Sequence, residues 1–103
     1  MTIEEAQALL DEYRLSIDDV DRRIVALLNE RTLVVHNIGR VKKEAQLPVY
    51  EPRREDQVFA NIKDANLGPL TPEAVRRIFE RIIDEMRTIQ RVRMTTPPEE
   101  PKC

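Results

Sequence analysis

The sequence is poor in cysteine, histidine, serine and glycine, and these shortages exclude several kinds of site. Cys103 is the only cysteine and His36 the only histidine, so a single chain can build neither a disulfide framework nor a zinc site. Ser16 is the only serine, and nothing in the sequence indicates that it meets His36. Serine or cysteine triads are therefore disfavoured. The two glycines, Gly39 and Gly68, form no glycine-rich phosphate loop.

Charge and hydropathy narrow the class of protein further. The formal net charge is −2 with acidic and basic residues interspersed, which gives little support to nucleic-acid binding. No apolar run approaches the roughly 20 residues that span a bilayer, and the N-terminus lacks a basic-then-apolar signal pattern. We therefore expect a cytoplasmic protein. A chain of 103 residues is expected to form one domain with a modest core.

The first half of the chain is predicted to be one long helix. Apolar residues recur at alternating spacings of three and four until the chain reaches Pro48, which is the period of an α-helix. Thr2 and Glu5 have the spacing of a capping box. The helix is therefore predicted over about residues 3–45. One alternative stays open, since Ser16 and the two aspartates that follow Ile17 could cap a new helix and split this one.

Two further helices are predicted, which makes the chain all-α. The second should begin at Pro52 and end with a glycine stop at Leu67-Gly68-Pro69. The third should begin with Thr71 as its N-cap, followed by a proline and an acidic residue. We expect residues 1–94 to form the folded domain. Residues 95–103, which hold three prolines and two glutamates, are predicted to be a disordered tail.

Five polar residues interrupt or border the apolar stripes of these helices. Charges on a core-facing stripe are costly unless a partner compensates them. Three cations, a carboxylate and an amide would suit a small anionic ligand bound inside a helix bundle. The five residues are Arg14, Arg31, Lys42, Glu55 and Gln90.

The predicted length of the first helix indicates a dimer. A helix of about 43 residues is about 65 Å long, roughly twice the width of a compact domain of this size. Its exposed apolar stripe favours a two-fold dimer of long helices. Arg31 and Lys42 should lie on nearly the same face, about 16 Å apart. Arg14 lies about 25 Å from Arg31 and roughly 100° around the helix, so we expect the partner subunit to supply it.

The available side chains favour catalysis by electrostatic positioning. Guanidinium groups bind carboxylates strongly, and fixed donors can stabilise an oxygen on which charge develops. No cluster of metal ligands is seen in the sequence, so neither a metal nor another cofactor is expected. Reactions without a covalent intermediate, such as pericyclic rearrangements and some eliminations, fit this inventory.

The residues that carry this chemistry resemble those of a known enzyme family. The runs Asp21–Ile24, Leu27–Arg31, Ile38–Lys42 and Pro48–Glu55, together with Gln90, are similar to those of the all-helical chorismate mutases. The resemblance covers roughly residues 5–93. It implies an intertwined homodimer of three-helix subunits that rearranges chorismate to prephenate on the way to phenylalanine and tyrosine. Another enzyme of the aromatic pathway is a possible docking partner.

The resemblance also implies a role for each candidate residue. Arg31 and Arg14 of the partner subunit would hold the carboxylates of the substrate. Lys42 and Gln90 would donate hydrogen bonds to the ether oxygen, where negative charge grows as the C–O bond breaks. Glu55 would accept a hydrogen bond from the ring hydroxyl.

Three more positions are implied to line the site, and two depart from the family pattern. Arg54 would form part of its wall and contact a carboxylate or support Glu55. Glu51 stands where an aspartate is usual, which puts its side-chain contact with the ring hydroxyl in doubt. Met86 stands where a small hydroxyl residue often contacts a carboxylate, so that hydrogen bond is lost and weaker substrate affinity is expected.

Two alternatives to a mutase stay open. Isochorismate pyruvate lyase shares the arginine, lysine and glutamine set but carries an apolar residue near the position of Glu55, so the Arg54-Glu55 pair favours the mutase. The other alternative is a non-catalytic helical dimerisation module that binds a metabolite of the aromatic pathway.

Overall fold

The computed structural model describes residues 1–95, which form three α-helices. Helix α1 spans Ile3–Ala45, α2 spans Pro52–Ala65 and α3 spans Pro72–Thr95. No strand is present in this part of the chain, so the all-α prediction is confirmed. The predicted disordered tail lies outside the described residues apart from Thr95, which ends α3. None of the three helices has both the length and the apolar character that crossing a membrane requires.

Helix α1 is continuous, as its apolar spacing predicts. Thr2 accepts a hydrogen bond from the backbone N–H of Glu5 at 3.1 Å, and its hydroxyl donates to Glu5 Oε1 at 3.1 Å. The Ser16 hydroxyl donates one turn back, to the carbonyl oxygen of Glu12 at 3.3 Å. It therefore bonds within the helix instead of capping a new one, and the split alternative is wrong.

The C-terminus of α1 is closed by a motif that the sequence does not signal. Gln46 has a positive φ of 57°. The backbone N–H of Leu47 donates to the carbonyl oxygen of Lys42 at 2.8 Å, and that of Gln46 donates to Lys43 at 3.3 Å. This is the Schellman arrangement, formed here with glutamine where glycine is usual. It turns the chain away from α1 at Gln46, about one helical turn after Lys42.

The start of α3 is predicted correctly, but the end of α2 is not. The Thr71 hydroxyl accepts from the backbone N–H of Ala74 at 3.1 Å, as an N-cap should. Helix α2 ends at Ala65, with Asn66 as its C-cap in an extended conformation. The Asn66 side chain donates to the Leu70 carbonyl at 2.9 Å and accepts from the Gly68 N–H at 3.0 Å. Gly68, with a φ of 80°, therefore shapes the following turn and does not cap the helix.

The chain divides into two compact units, Met1–Leu33 and Val34 onward. The first unit consists of the N-terminal part of α1. Large apolar side chains along it are exposed, including Tyr13 at 65%, Ile17 at 58% and Leu27 at 64%. A helix stripe with this much apolar surface is typical of one that packs against another chain.

The second unit contains the end of α1, together with α2 and α3, and it holds the core. Buried apolar residues come from α1 and α3, while α2 contributes half-buried side chains from Val58, Phe59 and Ile62. Lys42 is the one charged residue among the buried side chains of residues 1–93. The buried apolar side chains are Val35, Val75, Ile83 and Met86.

Candidate active site

Lys42 lies in the last turn of α1 and is only 7% exposed. Its Nζ is 2.7 Å from Glu51 Oε1, 3.1 Å from the Val49 carbonyl oxygen and 3.1 Å from Gln90 Oε1. An ammonium group has three hydrogens to donate, and three acceptors surround this one. The contacts compensate the cost of burying the charge, and they join α1, the loop before α2, and α3.

The contact with Lys42 fixes the orientation of the Gln90 amide. A lysine ammonium only donates, so the amide must turn its oxygen toward Lys42. The amide nitrogen of Gln90 is then directed elsewhere with two hydrogens to donate. Gly39 lies one turn before Lys42 and is buried. A Cβ at Gly39 would lie 3.8 Å from Gln90 Cγ, which is an ordinary van der Waals contact.

A second ion pair joins α2 to α3. Arg87 Nη2 lies 2.6 Å from both carboxylate oxygens of Glu55, and each side chain is 23% exposed. The hydrogen bond that Arg87 donates to Glu55 raises the pKa of Arg87, against a smaller opposing effect of burial. The guanidinium carbon also lies 5.4 Å from the centroid of the Tyr50 ring, within the range of a cation–π contact.

The two ion pairs use residues that are close in sequence around α2 and on α3. Glu51 is the N-cap of α2 and Glu55 follows it by four residues, while Arg87 and Gln90 are three apart on α3. Residues at these spacings lie on the same side of a helix. The second unit therefore contains a polar cluster, defined here as Lys42, Glu51, Glu55, Arg87 and Gln90, with two cations and two carboxylates.

The other candidate residues lie in different surroundings. Met86 is buried at 6% exposure, one turn before Gln90. Arg54 is exposed and donates to Gln57 Oε1 at 3.3 Å, so it has no described contact with Glu55. Arg14 and Arg31 belong to the first unit. There Arg14 is exposed and lies 3.5 Å from Asp11, while Arg31 is half-buried and has interactions of its own.

Sequence reasoning missed Arg87, although a signal was present. Arg87 follows Ile83 by four residues and precedes Gln90 by three, so it interrupts the apolar stripe of α3. That is the same pattern by which the other five polar residues were selected. No group of histidine, cysteine, aspartate or glutamate among the described residues has the arrangement of a metal site.

Comparisons with known proteins agree with the all-helical fold. Residues 13–91 match the family model of chorismate mutase type II. Over 90 residues the chain is 41% identical to the bifunctional chorismate mutase/prephenate dehydratase of Neisseria gonorrhoeae, covering 87% of this chain and 24% of that protein. It is 26% identical over 90 residues to the chorismate mutase of Methanocaldococcus jannaschii, with 80% and 84% of the two proteins covered.

A solved structure is similar as well. The chorismate mutase (form II) of Thermus thermophilus superposes with a TM-score of 0.77 at 34% sequence identity, covering 80% of this chain and 93% of that one. The chain belongs to the chorismate mutase type II family. The family prediction from sequence is thereby confirmed. The chain spans about a quarter of the length of the bifunctional relatives that it matches.

Proposed function

We propose that this chain catalyses the rearrangement of chorismate to prephenate, an isomerase step of phenylalanine and tyrosine biosynthesis. The observation that carries the proposal is the part-buried contact between Lys42 and Gln90 at 3.1 Å. It places an ammonium group beside an amide whose nitrogen is left to donate. Family membership supports the same reaction.

Two neighbouring donors suit this reaction because it needs no nucleophile and no proton transfer. One C–O bond breaks and one C–C bond forms within the same molecule, and negative charge grows on the ether oxygen. Lys42 and Gln90 would both donate to that oxygen, which stabilises the transition state more than the ground state. Binding the reactive conformer supplies the remaining rate enhancement.

The remaining substrate contacts are assigned by position in the family pattern. Glu55 accepts from the ring hydroxyl, and Arg31 and Arg14 of the partner subunit hold the carboxylates. Arg54 is a weaker candidate, because its described hydrogen bond is to Gln57 on its own helix. Two further substrate-binding candidates are Glu51, through its backbone or by releasing Lys42, and Met86, as an apolar wall.

We propose an intertwined homodimer as the active form. The exposed apolar stripe of the first unit supports it, with Tyr13, Ile17 and Leu27 each more than half exposed. Burying such side chains contributes about 1.5–3 kcal/mol each when burial is complete. A cytoplasmic location remains a prediction of the sequence. Docking to another enzyme of the aromatic pathway also remains a proposal, supported by relatives that carry a prephenate dehydratase in the same chain.

One assay separates the mutase from its alternatives. Purified protein is mixed with chorismate, the loss of chorismate absorbance is followed, and the products are tested for prephenate and for pyruvate. A parallel reaction uses isochorismate. Prephenate from chorismate supports the proposal, whereas pyruvate from isochorismate would indicate the lyase. Consumption of neither compound would favour a module that only binds a metabolite.

Lys42→Met and Lys43→Met provide a matched control for this assay. Lys42 is buried, while Lys43 is exposed on the same turn of α1. The two substitutions remove the same group from adjacent positions. Prephenate formation should be about 10²- to 10³-fold slower in the first variant and unchanged in the second.

A further inference from the structure

We propose that Arg87 is a positioning residue for Glu55, which it holds in one orientation and whose charge it balances against the dianionic substrate. The inference rests on the proposed function, since it concerns the site where chorismate would bind. It adds a residue to the site that the family pattern used in the sequence analysis does not include.

The geometry of the pair fixes the Glu55 carboxylate. One nitrogen, Arg87 Nη2, lies 2.6 Å from each of the two carboxylate oxygens. Rotation of the carboxylate would lengthen one of these hydrogen bonds. An ionised carboxylate has about four lone-pair sites, so two remain to accept from a substrate hydroxyl. Glu55 and Arg87 also border a shallow depression between α2 and α3, whose lining includes neither Lys42 nor Gln90. The access of a substrate to Glu55 rests instead on the 23% exposure of its side chain.

Charge balance gives Arg87 a second effect. Chorismate carries two carboxylates, and Glu51 and Glu55 lie within one helical turn of each other. Lys42 is already 2.7 Å from Glu51. Without Arg87, the Glu55 carboxylate would therefore present an unbalanced charge, at 23% exposure, to an anionic ligand. Like charges repel strongly where solvent screening is reduced.

Two features distinguish Arg87 from a simple tie between helices. Arg87 Nε is buried and has no hydrogen-bond partner, which costs stability and is unusual for a purely structural contact. The guanidinium also faces the ring of Tyr50, which immediately precedes Glu51. Arg87 therefore contacts Glu55 and Tyr50, and its Nη1 also lies 3.8 Å from Asp84 Oδ1.

The test measures kcat and KM for chorismate in Arg87→Met, Arg87→Lys and the control Arg93→Met, an exposed position on the same helix. Arg87→Met should raise KM by about 10- to 100-fold, less than the loss expected on breaking a fully buried pair. Arg87→Lys should recover most of the loss, because a single nitrogen makes both contacts. Arg93→Met should match the wild type.

A double-mutant cycle shows whether Arg87 acts through Glu55. Once Glu55→Gln has removed the charge, adding Arg87→Met should change KM by less than about threefold. The double variant removes both charges of the Arg87–Glu55 pair, and Asp84 keeps its contact with Arg81, so this comparison stands even if Arg87→Met alone does not fold. A further large rise in KM in the Glu55→Gln background would overturn positioning through Glu55.

A third result would show that Arg87 only stabilises the packing of α2 against α3. In that case Arg87→Met would lower the melting temperature but leave kcat and KM of the folded fraction unchanged, and the inference would fail. Failure of the proposed function looks different, because the wild-type protein itself would then not convert chorismate.

Discussion

Replacing Lys42 by methionine removes three contacts while keeping an unbranched side chain at a buried position. The Val49 carbonyl oxygen and Gln90 Oε1 would each lose a donor that now lies at 3.1 Å. A part-buried acceptor left without a donor costs about 1–3 kcal/mol. Glu51 is 48% exposed and can return to water, so it adds little. The free energy of unfolding should fall by about 2–4 kcal/mol, after some compensation from the apolar methionine.

The same substitution should affect turnover more than stability. Removing one donor to a developing oxyanion costs about 10²- to 10³-fold in kcat. Urea unfolding followed by circular dichroism measures the first effect, at one fixed protein concentration because association shifts the apparent stability. Loss of chorismate absorbance measures the second. Lys43→Met should stay within about 0.5 kcal/mol of the wild type and keep its activity.

Two results would refute this reasoning separately. If Lys42→Met unfolds at the same urea concentration as the wild type, the contacts with Val49 and Gln90 do not stabilise the protein. If its kcat remains within about tenfold of the wild type, Lys42 is not the donor to the ether oxygen.

Three other substitutions make independent predictions. Gln90→Glu replaces an amide donor by a carboxyl that donates only when protonated, so the rate of the variant should fall as pH rises through the pKa of that carboxyl. A pH–rate profile parallel to that of the wild type would contradict the role of Gln90 as a donor. Refolding equal amounts of Arg14→Ala and Lys42→Ala chains should restore activity to about a quarter of all sites, because each mixed two-fold dimer regains one intact site. No recovery, despite mixed dimers in mass spectra, would place Arg14 in its own subunit's site. Gly39→Ala should raise the melting temperature, because alanine has a helix propensity better than that of glycine by about 0.5–1 kcal/mol and the added Cβ would lie 3.8 Å from Gln90 Cγ, without a clash. A lower melting temperature would show that the space is tighter.

The helices could be predicted from sequence because their signals are local. Thr71 and the proline after it mark the start of α3, and the spacing of apolar residues predicts that α1 continues past Ser16. The ends of α1 and α2 were less accessible. Gln46 adopts a left-handed conformation that normally favours glycine, and Asn66 caps α2 two residues before the glycine that was expected to do so.

The candidate site, like the fold, could be predicted from the sequence only in part. Lys42 and Gln90 were assigned to one site, and the structure brings them together across 48 positions of sequence. The pairing of Glu51 with Lys42 depends on the path of the loop between α1 and α2, which no local pattern encodes. Arg87 could have been selected by its place on the α3 stripe, but its pairing with Glu55 required the packing of two helices.

The contact between Glu51 and Lys42 makes ligand binding at this lysine an exchange. Three acceptors already surround the ammonium group, so an incoming ether oxygen has to displace one of them. Glu51 is the acceptor that can move into water, because its side chain is 48% exposed. The affinity for the ligand at Lys42 therefore depends on the difference in free energy between the contact with the ligand and the contact with Glu51, and not on the contact with the ligand alone. If Lys42 donates to the ether oxygen as proposed, the side chain at position 51 therefore helps to set the affinity for the substrate.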